Sequence, residues 1–151
     1  MTLPRTAIAA ALAFAAILPA YAEQPPTLAD MGQVAALKTA FEAMFANSEK
    51  PEWLADGIVT TPSQVASFNG QSWLVMSGCK PHDCASNQIA VIYSTTTGTM
   101  HGVLSEAAEN APQMLTWLNI GGGAESIDGR TILFAALTGS LANHPDAFDY
   151  D

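Results

Sequence analysis

QVASFNGQSWLVMSGCKPHDCASNQIAVIYS, residues 64–94, is the stretch on which the fold turns. Its first half holds two runs rich in β-formers, joined by Asn69-Gly70, the dipeptide preferred in two-residue hairpin turns. Its second half carries Cys79 and Cys84, the only cysteines in the chain, with Lys80, Pro81, His82 and Asp83 between them. The six-residue segment connects two expected strands, Trp73–Ser77 and Gln88–Ser94. Downstream, QIAVIYSTTTGTMHGVLS gives a further run after a Thr/Gly turn, and a short strand is expected near Ile58–Thr60. Connections this short imply an antiparallel meander of five strands.

The flanks change period. Val34, Leu37, Phe41, Met44 and Phe45 fall on one helical face, with Thr27 or Asp30 as N-cap and NSEKP as the stop. PEWLADG reads as a short second helix that ends at Gly57. After Glu106, Pro112 suits a first helical turn, and Met114, Trp117 and Leu118 share one helical face. Asp128 is placed to cap a last helix through RTILFAALTGS that Gly139 terminates, and ANHPDAFDYD reads as a tail. Helices, then strands, then helices define an α+β chain rather than α/β.

The N-terminus is set apart. MTLPRTAIAAALAFAAILPAYA has one early positive charge, Arg5, then a long apolar run, the helix breaker Pro19 and the small-x-small site Ala20-Tyr21-Ala22. That layout is a secretory signal peptide over residues 1–22, cleaved after Ala22, and the apolar run is short for a transmembrane anchor. Residues 23–151 are then one domain, with no stretch that would cross a membrane. The expected compartment is the bacterial periplasm. The whole chain has 5 basic and 14 acidic residues, a formal net charge of −9. Loss of Arg5 leaves four basic residues and a net of −10. Nucleic acid and anionic membrane surfaces are poor partners for such a chain, whereas a basic macromolecule is drawn to it at long range. The bland reading is that acidity serves solubility alone.

In an oxidising compartment the two cysteines read as a disulfide. Closing so small a ring restricts the unfolded chain by roughly 2 kcal/mol, and Pro81 fixes one more backbone angle. The result is a stiff protrusion carrying Lys80, His82 and Asp83, preorganised for binding. Three other readings stand beside it. A metal site could draw on Cys79, Cys84 and His82 with His101 or His144, but the spacing is not that of zinc ligands. A redox dithiol normally has two intervening residues, not four, and opens a helix. A purely structural staple would leave His82 dispensable. No nucleophile motif, defensible carboxylate pair or phosphate loop is present, since Gly121–Gly123 lacks the strand-to-helix setting, and nothing implies a cofactor. His101, within a run of β-formers, reads as packed or surface, and His144 as a turn or tail residue.

CKPHDC resembles the signature loop of the inhibitor of vertebrate lysozyme (Ivy) family. SGCKPHDCASNQIAVIYS, LTWLNI and SIDGRTILFAALTGSLANHPDAF are similar to that family in the same order and at similar spacing, and the likeness weakens before about Trp53. The resemblance implies a periplasmic inhibitor, not an enzyme, that binds C-type lysozyme and blocks its cleft. It also implies an antiparallel sheet with helices on both sides, and a family in which homodimers occur. Carried onto this chain, the inhibitory loop is Cys79, Lys80, Pro81, His82, Asp83 and Cys84, with His82 as the residue that enters the cleft. A variant of this reading aims the same loop at the cell's own peptidoglycan-cleaving enzymes. A reading of another class is a thiol–disulfide oxidoreductase that cycles Cys79 and Cys84.

Overall fold

A computed structural model describes residues 24–123 and 125–150. The expected signal peptide, residues 1–22, lies outside the described residues. Among them, six strands form one antiparallel sheet: β1 (Val59–Thr60), β2 (Gln64–Phe68), β3 (Gln71–Cys79), β4 (Asn87–Tyr93), β5 (Met100–Glu106) and β6 (Met114–Leu118). The helices are α1 (Ala35–Met44), α2 (Ser126–Thr138) and the short α3 (Ser140–Asn143). The chain is α+β with an antiparallel sheet, as its pattern of elements implies.

Asn69 and Gly70 both have positive φ, 54° and 65°, and Phe68 pairs directly with Gln71, the arrangement of a two-residue hairpin turn. β4 lines the other edge of β3 from Leu74↔Tyr93 to Cys79↔Gln88, and β5 and β6 follow in turn. The remaining edge of β3 is shared. β2 covers Gln71–Val75 and β1 covers Gly78–Cys79, with Thr61–Pro62–Ser63 between them. Proline has no N–H for the ladder, so the edge strand breaks at Pro62.

Six strands stand where five were expected, because Met114–Leu118 is a strand and not the predicted helix. It pairs with β5 from Glu106↔Met114 to Gly102↔Leu118. Spacing over so few residues does not separate the two periods. Neighbours decide it here: Leu118 joins one hydrophobic cluster while the adjacent Trp117 packs on the other. Side chains on opposite faces at consecutive positions are the mark of a strand.

Two clusters of buried side chains use alternate residues of the sheet. Met76, Ile89, Val91, Tyr93, Met100 and Leu104 pack with Leu37, Phe41 and Met44 of α1. Val75, Ala90, Ile92 and Val103 pack with Ile132, Leu133 and Ala135 of α2. α1 therefore lies against one set of strand side chains and α2 against the other. The buried face of α1 is Leu37, Ala40, Phe41 and Met44, whereas Val34 is its exposed N-cap. Thr27 and Asp30 cap a preceding 3-10 turn, where the Asp30 carboxylate accepts the Thr27 N–H at 2.7 Å. PEWLADG yields only a 3-10 turn, Glu52–Leu54.

α2 begins at Ser126, with Asp128 in its first turn instead of at the cap. Gly139 ends it at φ 77°, as expected. The segment read as a tail is folded: α3 is followed by a 3-10 turn, Pro145–Phe148. Phe148 packs on the α2-side cluster, and the Tyr150 N–H donates to the Ser67 carbonyl at 2.9 Å. Gly129 lets α2 approach the sheet, since a Cβ there would lie 3.1 Å from Ile120 Cδ1 and 3.2 Å from Ile92 Cδ1. A larger residue must push the helix away. Gly129→Leu is expected to lower stability by about 1–3 kcal/mol through overpacking, read from the midpoint of urea unfolding.

Candidate functional site: the disulfide-closed loop

β3 and β4 leave the sheet together, and the connection between them forms the protrusion. Cys79 ends β3, and a disulfide joins it to Cys84 with the Cα atoms 4.8 Å apart. Within the ring, the Asp83 N–H donates to the Lys80 carbonyl at 3.0 Å. Pro81 and His82 occupy the two central positions of that turn, and His82 has φ 64°. Proline followed by a positive-φ residue is the signature of a type II turn. Glycine or asparagine usually takes the second place, so a histidine there holds its backbone in a sparsely populated region.

The base of the turn is tied down. The Lys80 N–H donates to the Asn87 carbonyl at 3.0 Å, and the Asn87 N–H returns to the Asp83 carbonyl at 3.0 Å. Beyond the ring, the Ala107 N–H donates to the Ser86 carbonyl at 2.8 Å, fastening the loop to the chain after β5. Asn87 Nδ2 donates to the Asp83 carboxylate at 2.7 Å, and Lys80 Nζ stands 3.6 Å from the same oxygen. Hydrogen bonds from Ser86 and Asn87, with the nearby Lys80 charge, hold the Asp83 carboxyl below its ordinary value of 3.8.

The sequence suggested three polar side chains on display. Lys80 and Asp83 instead engage each other, and Asp83 is also held by Asn87. His82 is exposed, and no side-chain hydrogen bond or ion pair among the described residues engages it. Asn87 and Ser86 are the residues sequence reasoning missed. Their signal was the short spacing Asp83…Asn87, a side-chain bond across one turn.

The other histidines stand elsewhere. His101 pairs with Ile92, is buried, and its Nδ1 hydrogen-bonds the Asn119 carbonyl. His144 is exposed at the end of α3. Among the described residues no three His, Cys, Asp or Glu side chains come together as a metal site, and both cysteines are bonded to each other. Beside the loop root, Glu49, Lys50, Pro51, Glu52 and Glu106 line an acidic hollow.

The described residues thus present a disulfide-closed turn at one end of the sheet, with His82 exposed at its tip. The model of the family described as inhibitor of vertebrate lysozyme (Ivy) matches residues 36–119, beginning well before Trp53, where the resemblance was expected to fade. The chain is 43% identical over 132 residues to the "Inhibitor of vertebrate lysozyme" of Escherichia coli K12, covering 87% of this chain and 83% of the relative. It is 33% identical over 87 residues to the protein of the same name in Pseudomonas aeruginosa, covering 56% of this chain and 57% of that one. The chain belongs to the Ivy family, which is a family of inhibitors and not of enzymes.

Because the folded value of Asp83 is depressed, its carboxylate supports the turn above pH 3.8, and that support is lost as pH falls through the folded value. An NMR titration should give Asp83 a midpoint below 3.8, and the amides of Asp83 and Asn87 should exchange faster with solvent once it is protonated.

Proposed function

We propose that this protein is a periplasmic inhibitor of C-type lysozyme that inserts the Cys79–Cys84 loop into the enzyme's cleft, with His82 between the two catalytic carboxyl groups. One observation carries the reading: the loop engages its own Lys80 and Asp83 and leaves His82 alone at the tip of a strained, disulfide-closed turn. Family membership supplies the target class, through relatives named for inhibition of vertebrate lysozyme. Export rests on the layout of residues 1–22 and is in keeping with a disulfide.

The chemistry fits such a target. Lysozymes cleave glycan with two carboxyl groups in different protonation states. An imidazole set between them hydrogen-bonds to both, and its ring occupies the space the sugar needs. The loop is ordered before the encounter by the ring, Pro81 and the Asp83–Asn87 bond, so little entropy is lost on insertion. The net negative charge of the chain, with Glu49, Glu52 and Glu106 around the loop root, attracts a basic enzyme.

The direct test mixes the purified mature protein with a C-type lysozyme and follows cell-wall lysis. Inhibition is expected. Its absence at micromolar protein, with inhibition of a bacterial peptidoglycan-cleaving enzyme instead, would redirect the loop to endogenous targets. His82→Ala should keep the fold and weaken inhibition by a factor of about 30 to several thousand, the equivalent of about 2–5 kcal/mol for leaving charged groups unmatched in a closed cleft. Equal inhibition by a folded, oxidised His82→Ala protein would rule out the mechanism. Replacing both Cys79 and Cys84 by Ser should preserve most secondary structure yet weaken inhibition. Raising ionic strength should slow association more than it speeds dissociation, which stopped-flow mixing resolves.

A further inference from the structure

The loop is too small to account for a stable complex. Specific interfaces bury about 800 Å² on each partner and engage about 20–30 residues a side. A six-residue ring with Lys80, Pro81 and Asp83 already partly buried falls far short. Whatever swallows the loop must also close over the surface at its root.

That surface is built by the strand register. Cys79 pairs with Gln88, Gln88 with Ser105, and Ser105 with Leu115. These four residues form one row across the sheet, and cross-strand partners point to the same face. Over the row lies the last turn of α2. Between helix and row lies a groove of two adjoining lobes, about 370 Å³ and about 290 Å³, both lined by Gln88, Leu137 and Thr138. The larger lobe is walled by Leu115 and Phe134 and reaches Ala85, and the smaller reaches Cys79. The groove thus begins at the disulfide ring itself.

Beside the polar Gln88, Ser105, Gln113 and Thr138, part of the wall is apolar and uncovered. Phe134 is 49% exposed and Leu115 36% exposed. An aromatic side chain half out of a helix, beside a partly exposed leucine on an edge strand, leaves apolar area in water that a partner can remove. On the opposite side of the root lies the acidic hollow of Glu49, Glu52 and Glu106. The loop therefore rises between an apolar groove and an acidic flank, and a cleft that admits the loop must set one rim on each.

We infer that the groove walled by Leu115, Phe134 and Leu137 is a second contact, seating an apolar side chain from one rim of the target lysozyme's cleft. This rests on the reading of the loop given above. The occupant is a basic enzyme's rim and not an unrelated peptide, because the groove is continuous with the ring and the acidic flank faces the other rim. The two contacts divide the work: His82 blocks the chemistry, and the groove lengthens the life of the complex.

The test uses Leu115→Thr with Phe134→Ser, which keeps a β-former on β6 and changes two partly exposed side chains, beside His82→Ala and the parent. Binding to a C-type lysozyme is followed by surface plasmon resonance, with circular dichroism melts as the control for folding. The double variant should bind about tenfold or more weakly, with the loss in the dissociation rate and little change in salt dependence. Amides of 114–116 and 134–138 in the parent should gain protection from hydrogen exchange when lysozyme is added, a readout that does not depend on the variant's folding. A double variant within twofold of the parent, or no protection at those amides, overturns the groove contact while a weakened His82→Ala leaves the loop mechanism standing. The reverse pattern, a full-strength His82→Ala with a weakened double variant, keeps the groove and removes the histidine. A change in self-association without a change in lysozyme binding would make the groove a contact between copies of this chain, and overturns the proposal. No binding by the parent ends both readings.

Discussion

The pairing of β3 with β4 is the constraint on which everything else hangs. Its register, Leu74↔Tyr93 to Cys79↔Gln88, sends Val75, Ala90 and Ile92 into the cluster with α2, and Met76, Ile89 and Val91 into the cluster with α1. A slip of one residue would exchange the two sets, and each helix would meet the wrong side chains. The same register brings Cys79 to the end of its strand, opposite Gln88, and leaves residues 80–86 as the connection. The ring is therefore a continuation of the ladder, with the Lys80 N–H to Asn87 carbonyl bond as its last rung.

The loop shows a conflict between local preference and what the position carries. A type II turn prefers glycine or asparagine at its positive-φ position, and this chain places histidine there. The turn is held regardless by three devices: Pro81 before it, the disulfide around it and the Asp83–Asn87 bond beneath it. A site where local preference is overruled by its surroundings is where function is to be sought. Here the overruled residue is the one the proposed mechanism needs.

The parts legible in the sequence were those fixed by local chemistry. Asn69-Gly70 specifies a tight turn whatever surrounds it, the short spacing of two cysteines in a chain expected to be exported favours a ring, and Gly139 specifies a helix end. The parts that were not legible depend on partners far along the chain. Met114–Leu118 has helical spacing by itself and becomes a strand because β5 offers an unpaired edge. The last residues look like a tail until Phe148 finds the α2-side cluster. The role of Asp83 was hidden for another reason. An exposed acid beside a lysine reads as surface decoration, and only the fold reveals that Ser86 and Asn87 hydrogen-bond its carboxylate. The groove at the loop root was invisible because Leu115 and Phe134 are 19 residues apart and meet only through the sheet register and the packing of α2.

Charge and shape are separated in this molecule, and the separation has a consequence for recognition. At the loop tip Lys80 and Asp83 pair with each other, so their charges largely cancel where a partner would arrive first. The acidity lies in the body of the domain and on one flank of the loop root, at Glu49, Glu52 and Glu106. A diffuse field of that kind acts at long range and is screened by salt, whereas a close contact in a dry cleft is not. Had the tip carried a net charge, inserting it would have required stripping water from that charge, an expense that its new partners need not return. With the tip neutralised, attraction can be strong at a distance without adding a desolvation penalty at the point of insertion. In the proposed complex, the acidic body then governs how fast the loop arrives, and the imidazole and the apolar groove govern how long it stays.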